Sequence, residues 1–232
     1  MAISLNHKIG LQSVRIRFDR NEHVFHSPDF EEIIKDTIRF FNGTPVLSIP
    51  VPEKFQGTGV YAIYCTARSG MYKDFHEINR TSYILPIYIG KAVPKGWRQA
   101  RSACSADSES YELNNRLREH GRSLQAVEGI ELEDFCCRFM ILESAESDLI
   151  GTVEAALIRK YKPLWNTLLD GFGNHDPGSG RYEQAMSDWD VCHSGRLWAK
   201  KCRGKHSDRN LLLQSIADFM TALKEEYGLK AY

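Results

Sequence analysis

The run Val60 to Cys65 (VYAIYC) is apolar at every position, the pattern of a strand covered on both faces. SYILPIYIG (Ser82 to Gly90) and DFCCRFMIL (Asp134 to Leu142) have the same texture and predict two more strands. Elsewhere the period is helical. SYELNNRLREHG puts Leu113 and Leu117 on one stripe and is expected to end at Gly121. SDLIGTVEAALIRKYKP is expected to open at Ser147-Asp148 and to stop at Pro163. Near the N-terminus SVRIRF (Ser13 to Phe18) alternates as a half-exposed strand does. A helix should follow, with Ser27 as N-cap, Pro28 at its first position, a stripe of Phe30, Ile33, Ile34, Ile38 and Phe41, and Asn42-Gly43 as the stop. A closing helix carries Leu212, Ile216, Phe219 and Leu223 on one face.

The order strand, strand, helix, strand, helix predicts an α+β fold: a small mixed or antiparallel three-stranded central sheet flanked by helices, with embellishments at both ends. The expected organisation is an N-terminal extension over residues 1–56, a core over 57–170 with insertions at 66–82 and 91–109, and a loop and helix over 171–232 within the same domain.

Thirty basic and thirty acidic residues cancel, so net charge neither demands nor excludes a nucleic-acid partner. Local runs say more. Lys91 to Ala106 carries Lys91, Lys95, Arg98 and Arg101 without one acid; the stretch from Arg196 to Arg209 carries Arg196, Lys200, Lys201, Arg203, Lys205 and Arg209 against Asp208 alone. Both could contact phosphates. The six cysteines form no CxxC pair and are expected to be reduced thiols. No apolar run reaches the roughly 20 residues of a membrane span, and the first residues lack a signal peptide's apolar segment, so a cytoplasmic location is expected.

Glu154 is the residue with most chemical content, because it lies within or beside the apolar stripe of its helix. Desolvating an unpaired carboxylate costs several kcal/mol, so the group must be neutralised, ion-paired or bound to a cation, with Gly151 leaving room for a partner. Arg116 and His120 are spaced i, i+4 and can reach one site, and His120 in a last turn would have its cation favoured. Tyr61 and Tyr88 sit in apolar strands. Beside Lys91 and His120 their phenolate forms would gain, against about 4 kcal/mol for full ionisation near neutral pH. Gly90 adds nothing to a strand's packing, so something is expected to sit over it. Cys192, His193, Cys202 and His206 lack a CxxC element and are a weak zinc signal. GFGNHDPGSGR lacks the GK[ST] of a P-loop, which argues against a nucleotide cofactor, and reads as a compact loop that lets Arg181 approach something closely.

Gly59-Val60-Tyr61, Tyr88-Ile89-Gly90, Arg116 with His120, Glu154 and Asn166, in that order, resemble the GIY-YIG nuclease family over about residues 58 to 166. The basic loop and the glycine-rich segment further look like its type II restriction endonuclease branch. The resemblance implies an Mg²⁺-dependent homodimer that cuts a short, GC-rich palindrome in double-stranded DNA. Glu154 would hold one Mg²⁺, Tyr61 would take the proton of the attacking water with Lys91 or His120 tuning it, and Tyr88 would orient that water or the phosphate. Arg116 would neutralise developing charge, Asn166 would support the cleft, and Gly90 would let the DNA backbone come close. Valine replaces the isoleucine of the first tripeptide, and the Cys65-to-Tyr88 connection is longer than is usual in the family. The same residues fit two other readings. One is a nicking, homing or repair nuclease, although the chain lacks a clear linker. The other is a non-catalytic DNA-binding module in which Glu154 merely pairs with Arg116.

Overall fold

The computed structural model describes residues 17–94, 96–97 and 110–228. Strands β1 (Leu47–Ser48), β2 (Gly59–Cys65), β3 (Tyr88–Ala92) and β4 (Phe135–Ile141) form one antiparallel sheet in the order β1-β4-β2-β3. The central strand is β2, and all seven of its residues are buried. Its register sets Tyr61 opposite Gly90 on one side and Phe139 on the other. The expected three-stranded sheet gains β1 as a fourth member, in which Leu47 and Ser48 pair with Cys137 and Cys136. Two residues are too few to show any alternation in the sequence.

Helices α1 (Pro28–Gly43) and α4 (Ile150–Tyr161) cover one face, packing Ile34, Ile38, Phe41, Val153 and Leu157 on Val60, Ala62, Tyr64 and Ile89. The other face is covered by α2 (Asp74–Asn79), α3 (Glu112–Gln125), α5 (Leu164–Thr167), α6 (Asp188–Cys192) and α7 (Arg209–Glu226). There Leu113, Leu117, Trp165, Trp189, Ile216 and Leu223 join Tyr61, Ile63 and Cys65 in one core. Each large apolar side chain so buried contributes about 1.5–3 kcal/mol. The C-terminal segment therefore shares its core with the sheet.

Several element ends differ from expectation for steric reasons. Helix α3 runs through Gly121 to Gln125, because that glycine is needed for contact: a Cβ there would sit 2.9 Å from Pro50 Cδ. Helix α4 begins at Ile150. The Ser147 hydroxyl donates to the Ser144 carbonyl (2.7 Å) in a 3₁₀ turn over Ser144–Leu149, so it does not cap the helix. In α1 the Ser27 hydroxyl accepts from the Phe30 amide as expected, but the stripe divides: Ile34, Ile38 and Phe41 pack inward, while Phe30 and Ile33 are exposed. Of the expected N-terminal strand, residues 13–16 lie outside the described residues, and Arg17 and Phe18 are not in a strand.

The insertion between β2 and β3 leaves the sheet intact. Its Asn79 side chain donates to the Cys65 and Leu85 carbonyls (3.1 and 2.9 Å) and accepts from the Leu85 amide (3.0 Å), which ties the strand entrances together. Among the described residues no helix is long and apolar enough to cross a membrane.

Candidate active site

Tyr61 projects from the middle of β2 toward α3 and crosses over Gly90 of the neighbouring strand. A Cβ at residue 90 would collide with the Tyr61 phenol. The glycine thus makes room for a side chain of the protein itself, and the expected approach of a DNA backbone over it is corrected accordingly. Beyond Gly90, Tyr61 Oη lies 2.6 Å from His120 Nε2. The Tyr88 ring sits 6.2 Å from Tyr61 and 5.3 Å from His120, centroid to centroid. One turn before His120, Arg116 Nη2 donates to the Gly173 carbonyl (2.6 Å), and Nη1 bonds Glu119 (3.1 Å) and the His175 ring.

Burial dominates the ionisation of this group. It raises the Tyr61 phenol well above its ordinary range; Tyr88 adds to the rise and the Arg116 charge opposes it only in part. Tyr88 is raised as well, again by burial first. His120 is held well below the usual imidazole range by burial and then by Arg116. The expected cationic His120 and cation-favoured phenolate are therefore reversed. Because α3 continues past Gly121, His120 stands in mid-helix with no terminal dipole to hold a charge.

Glu154 enters from the other layer. Its carboxylate is bonded to the Lys91 ammonium, and the two side chains are 17% and 35% exposed. Lys91, not Arg116, is its partner. Strand β3 forms the sheet edge between the α3 and α4 layers, and across that edge the Glu154 charge acts on both phenols, adding to the rise of each. The room expected beside Gly151 is taken by Trp97, whose ring lies 3.5 Å from where a Cβ would be. Asn166 stands at the same edge: its amide donates to the Ile89 carbonyl and accepts from the Ile89 amide, both at 2.8 Å. This amide takes the place of a further strand and holds β3, with Tyr88 and Lys91, against β2.

The expected phosphate contacts divide. Arg181, Lys200, Lys201, Arg203 and Lys205 are exposed, with Arg203 3.3 Å from Glu183. Lys95, Arg98 and Arg101 lie outside the described residues. Arg196 is 6% exposed, and all of its described bonds run inward: to both Asp190 carboxylate oxygens (2.7 and 2.8 Å) and to the carbonyls of Gly171, Phe172 and Asn174. The surface role expected for Arg196 is corrected. The run that carries it has Asp208 as its one acid, and the acidic partner of Arg196, Asp190, lies outside the run.

Three residues of the glycine-rich loop touch the site without having been singled out. Phe172 stacks on His120 (4.5 Å, 17°) and meets Tyr88 edge-on (4.9 Å); Gly173 packs on the Tyr88 hydroxyl; His175 touches Arg116. An aromatic between two glycines, followed by a histidine, was the available signal. The weak zinc motif does not assemble: His193 uses Nδ1 on the Trp189 carbonyl (2.8 Å) and Nε2 on the Tyr72 hydroxyl (2.8 Å).

Among the described residues no three His, Cys, Asp or Glu side chains converge as a metal cage. A single partly open carboxylate suits Mg²⁺, which is held by one or two carboxylates together with substrate phosphate and water. Glu154 fits that ion.

An antiparallel sheet carrying two tyrosines against a helix with arginine and histidine, and a glutamate helix across its edge, defines a GIY-YIG domain. The model of the Eco29kI GIY-YIG domain matches residues 53–220. The chain belongs to that family of type II restriction endonucleases. Comparison with curated proteins returns no match.

Proposed function

We propose that the protein is a cytoplasmic, Mg²⁺-dependent type II restriction endonuclease that hydrolyses DNA as a homodimer within a short, GC-rich palindrome. The observation that supports this most is the 2.6 Å contact between Tyr61 Oη and His120 Nε2, with the Glu154 charge acting on the same phenol across the sheet edge. A free Tyr61 phenolate is disfavoured by burial, whereas His120 is neutral with Nε2 facing the phenol and can take the phenolic proton, against the opposition that burial and Arg116 offer to its cation. As the attacking water gives its proton to the Tyr61 oxygen, the phenolic proton passes to His120 Nε2, so hydroxide is generated without a free phenolate. The water oxygen bonds to phosphorus, the bond to the 3′ oxygen breaks, and that oxygen is protonated from solvent. Arg116, fixed by Gly173 and Glu119, faces the charge that develops on the phosphate. Tyr88 orients the water, and Asn166 holds the strand that presents Tyr88. Glu154 would hold the Mg²⁺, which supplies Lewis-acid stabilisation of the phosphate and leaving oxygen when bound. Arg181, Lys200, Lys201, Arg203 and Lys205, with Lys95, Arg98 and Arg101, contact the DNA backbone, while residues 1–56, beyond the part that α1 and β1 give to the core and sheet, serve dimer or DNA contacts.

The Lys91–Glu154 ion pair favours one competing reading, a DNA-binding module in which that pair is structural. Digestion of a random DNA library with Mg²⁺ or EDTA, followed by sequencing of the ends, separates the two. The nuclease yields ends at one short sequence with Mg²⁺ only, and Glu154→Gln binds that sequence without cutting it. Salt-sensitive binding without ends, or undiminished cutting by Glu154→Gln, overturns the proposal.

A further inference from the structure

We infer that Arg196 and Asp190 are positioning residues for the active site, holding the loop Gly171–His175 so that its backbone aims the Arg116 guanidinium; this rests on the endonuclease reading above. The buried pair is bidentate, at 2.7 and 2.8 Å. The remaining described bonds of Arg196 go to three carbonyls that bracket Gly173: Gly171 (2.9 Å) and Phe172 (3.0 Å) before it, and Asn174 (3.1 Å) after it. The guanidinium also meets two indoles, 4.5 Å from the Trp189 ring and 4.9 Å from that of Trp198. Asp190 is itself anchored by the Ser187 hydroxyl, which donates to it at 2.7 Å.

The free side of that loop meets the site. The Gly173 carbonyl accepts from Arg116, His175 contacts the same guanidinium, and Phe172 stacks on His120 and abuts Tyr88. Glycine is required at 173, since a Cβ would collide with the Tyr88 hydroxyl. One buried arginine thus holds the carbonyls of Gly171, Phe172 and Asn174 from beneath, while the intervening Gly173 carbonyl bonds Arg116 and the Phe172 ring meets Tyr88 and His120 from above. A planar fork suits this task, because its N–H groups diverge in a rigid geometry that an ammonium lacks.

The test uses the full chain and a DNA that it cuts, recovered from the library digest. Arg196→Lys keeps the charge and loses the fork. Its single-turnover cleavage rate should fall on the order of 100-fold, with a far smaller change in DNA affinity, and combining it with Arg116→Ala should lower the rate no further than Arg116→Ala alone. A full rate in Arg196→Lys, or losses that multiply in the double variant, overturns the inference. Should Arg196→Lys fail to fold, Gly173→Ala leaves the buried pair intact and displaces the loop at its outer side. It should show the same rate loss and the same dependence on Arg116, and full activity would overturn the inference. If the unmodified protein cuts no DNA, the endonuclease reading fails instead. The positioning claim is then read from the ¹H–¹⁵N signals of the Arg116 guanidinium, which must shift in whichever variant folds; unshifted signals refute it.

Discussion

Acid should weaken the fold through His193 by an amount that can be worked out. Its ring is buried at the base of the C-terminal segment, stacked 4.4 Å from Trp189 and 5.8 Å from Tyr72. Nδ1 faces the Trp189 carbonyl, which can only accept, so Nδ1 carries the proton. Nε2 must then accept from the Tyr72 hydroxyl, which in turn accepts from Trp165 Nε1 at 3.0 Å. A second proton on the ring would set two donors against each other. Burial, with a smaller contribution from Arg196, lowers the His193 pKa from 6.5 to about 4. The unfolded chain therefore binds this proton first as pH falls. The His193 contribution is fully present above pH ~6.5 and is lost between there and pH ~4, in total about 3 kcal/mol and already about 2 kcal/mol at pH ~5. Typical domains have about 5–15 kcal/mol in all, so the loss is easily measured. Urea unfolding at fixed ionic strength at several pH values between neutral and 5 reads it, with His193→Gln as reference. The wild type should lose about 2 kcal/mol more than the variant over that interval. Parallel curves would show that His193 is not held neutral, and the reasoning would fail.

Three further outcomes follow from the site. Tyr61→Phe removes the oxygen between water and His120 and should slow cleavage about 10²–10⁴-fold, while the lost hydrogen bond costs only about 1–3 kcal/mol of stability; single-turnover rates and urea melts separate the two, and an unchanged rate would mean that another group takes the proton. Gly90→Ala forces the Tyr61 ring off the strand, so the variant should remain DNA-binding but lose most of its cleavage, and full cleavage would show that the collision is relieved elsewhere. Asn166→Ala strips both bonds from Ile89 and should destabilise by about 1–3 kcal/mol, with faster amide exchange at Ile89 than in the wild type; unchanged exchange would sink the edge-support role.

Much of this was legible wherever local pattern and tertiary demand agree. The unbroken run at β2 could be satisfied only by cover on both sides, and the helices with Arg116 and Glu154 announced themselves by period. The rest was hidden because its causes are contacts between residues far apart in the chain. Gly121 has the identity of a helix stop, and only Pro50, about seventy residues earlier, makes it an interior residue. Gly90 invites an overlying group, but its occupant is a residue of the adjacent strand, which only the register names. Arg196 resembled its basic neighbours because Asp190 and three loop carbonyls are invisible to composition. The sign of the His120 shift turned on burial, which an i, i+4 spacing does not reveal.

The Asn166 side chain has a consequence for assembly. With Trp165 donating its backbone amide to the Ile87 carbonyl at 3.0 Å and Asn166 engaging both polar atoms of Ile89, the outer rim of β3 is closed by a short helix where a visiting strand would have to bind. A second copy cannot extend the sheet through Ile87 and Ile89, and neither can an aggregating neighbour. A homodimer of the kind proposed above would therefore have to be built away from the β3 rim.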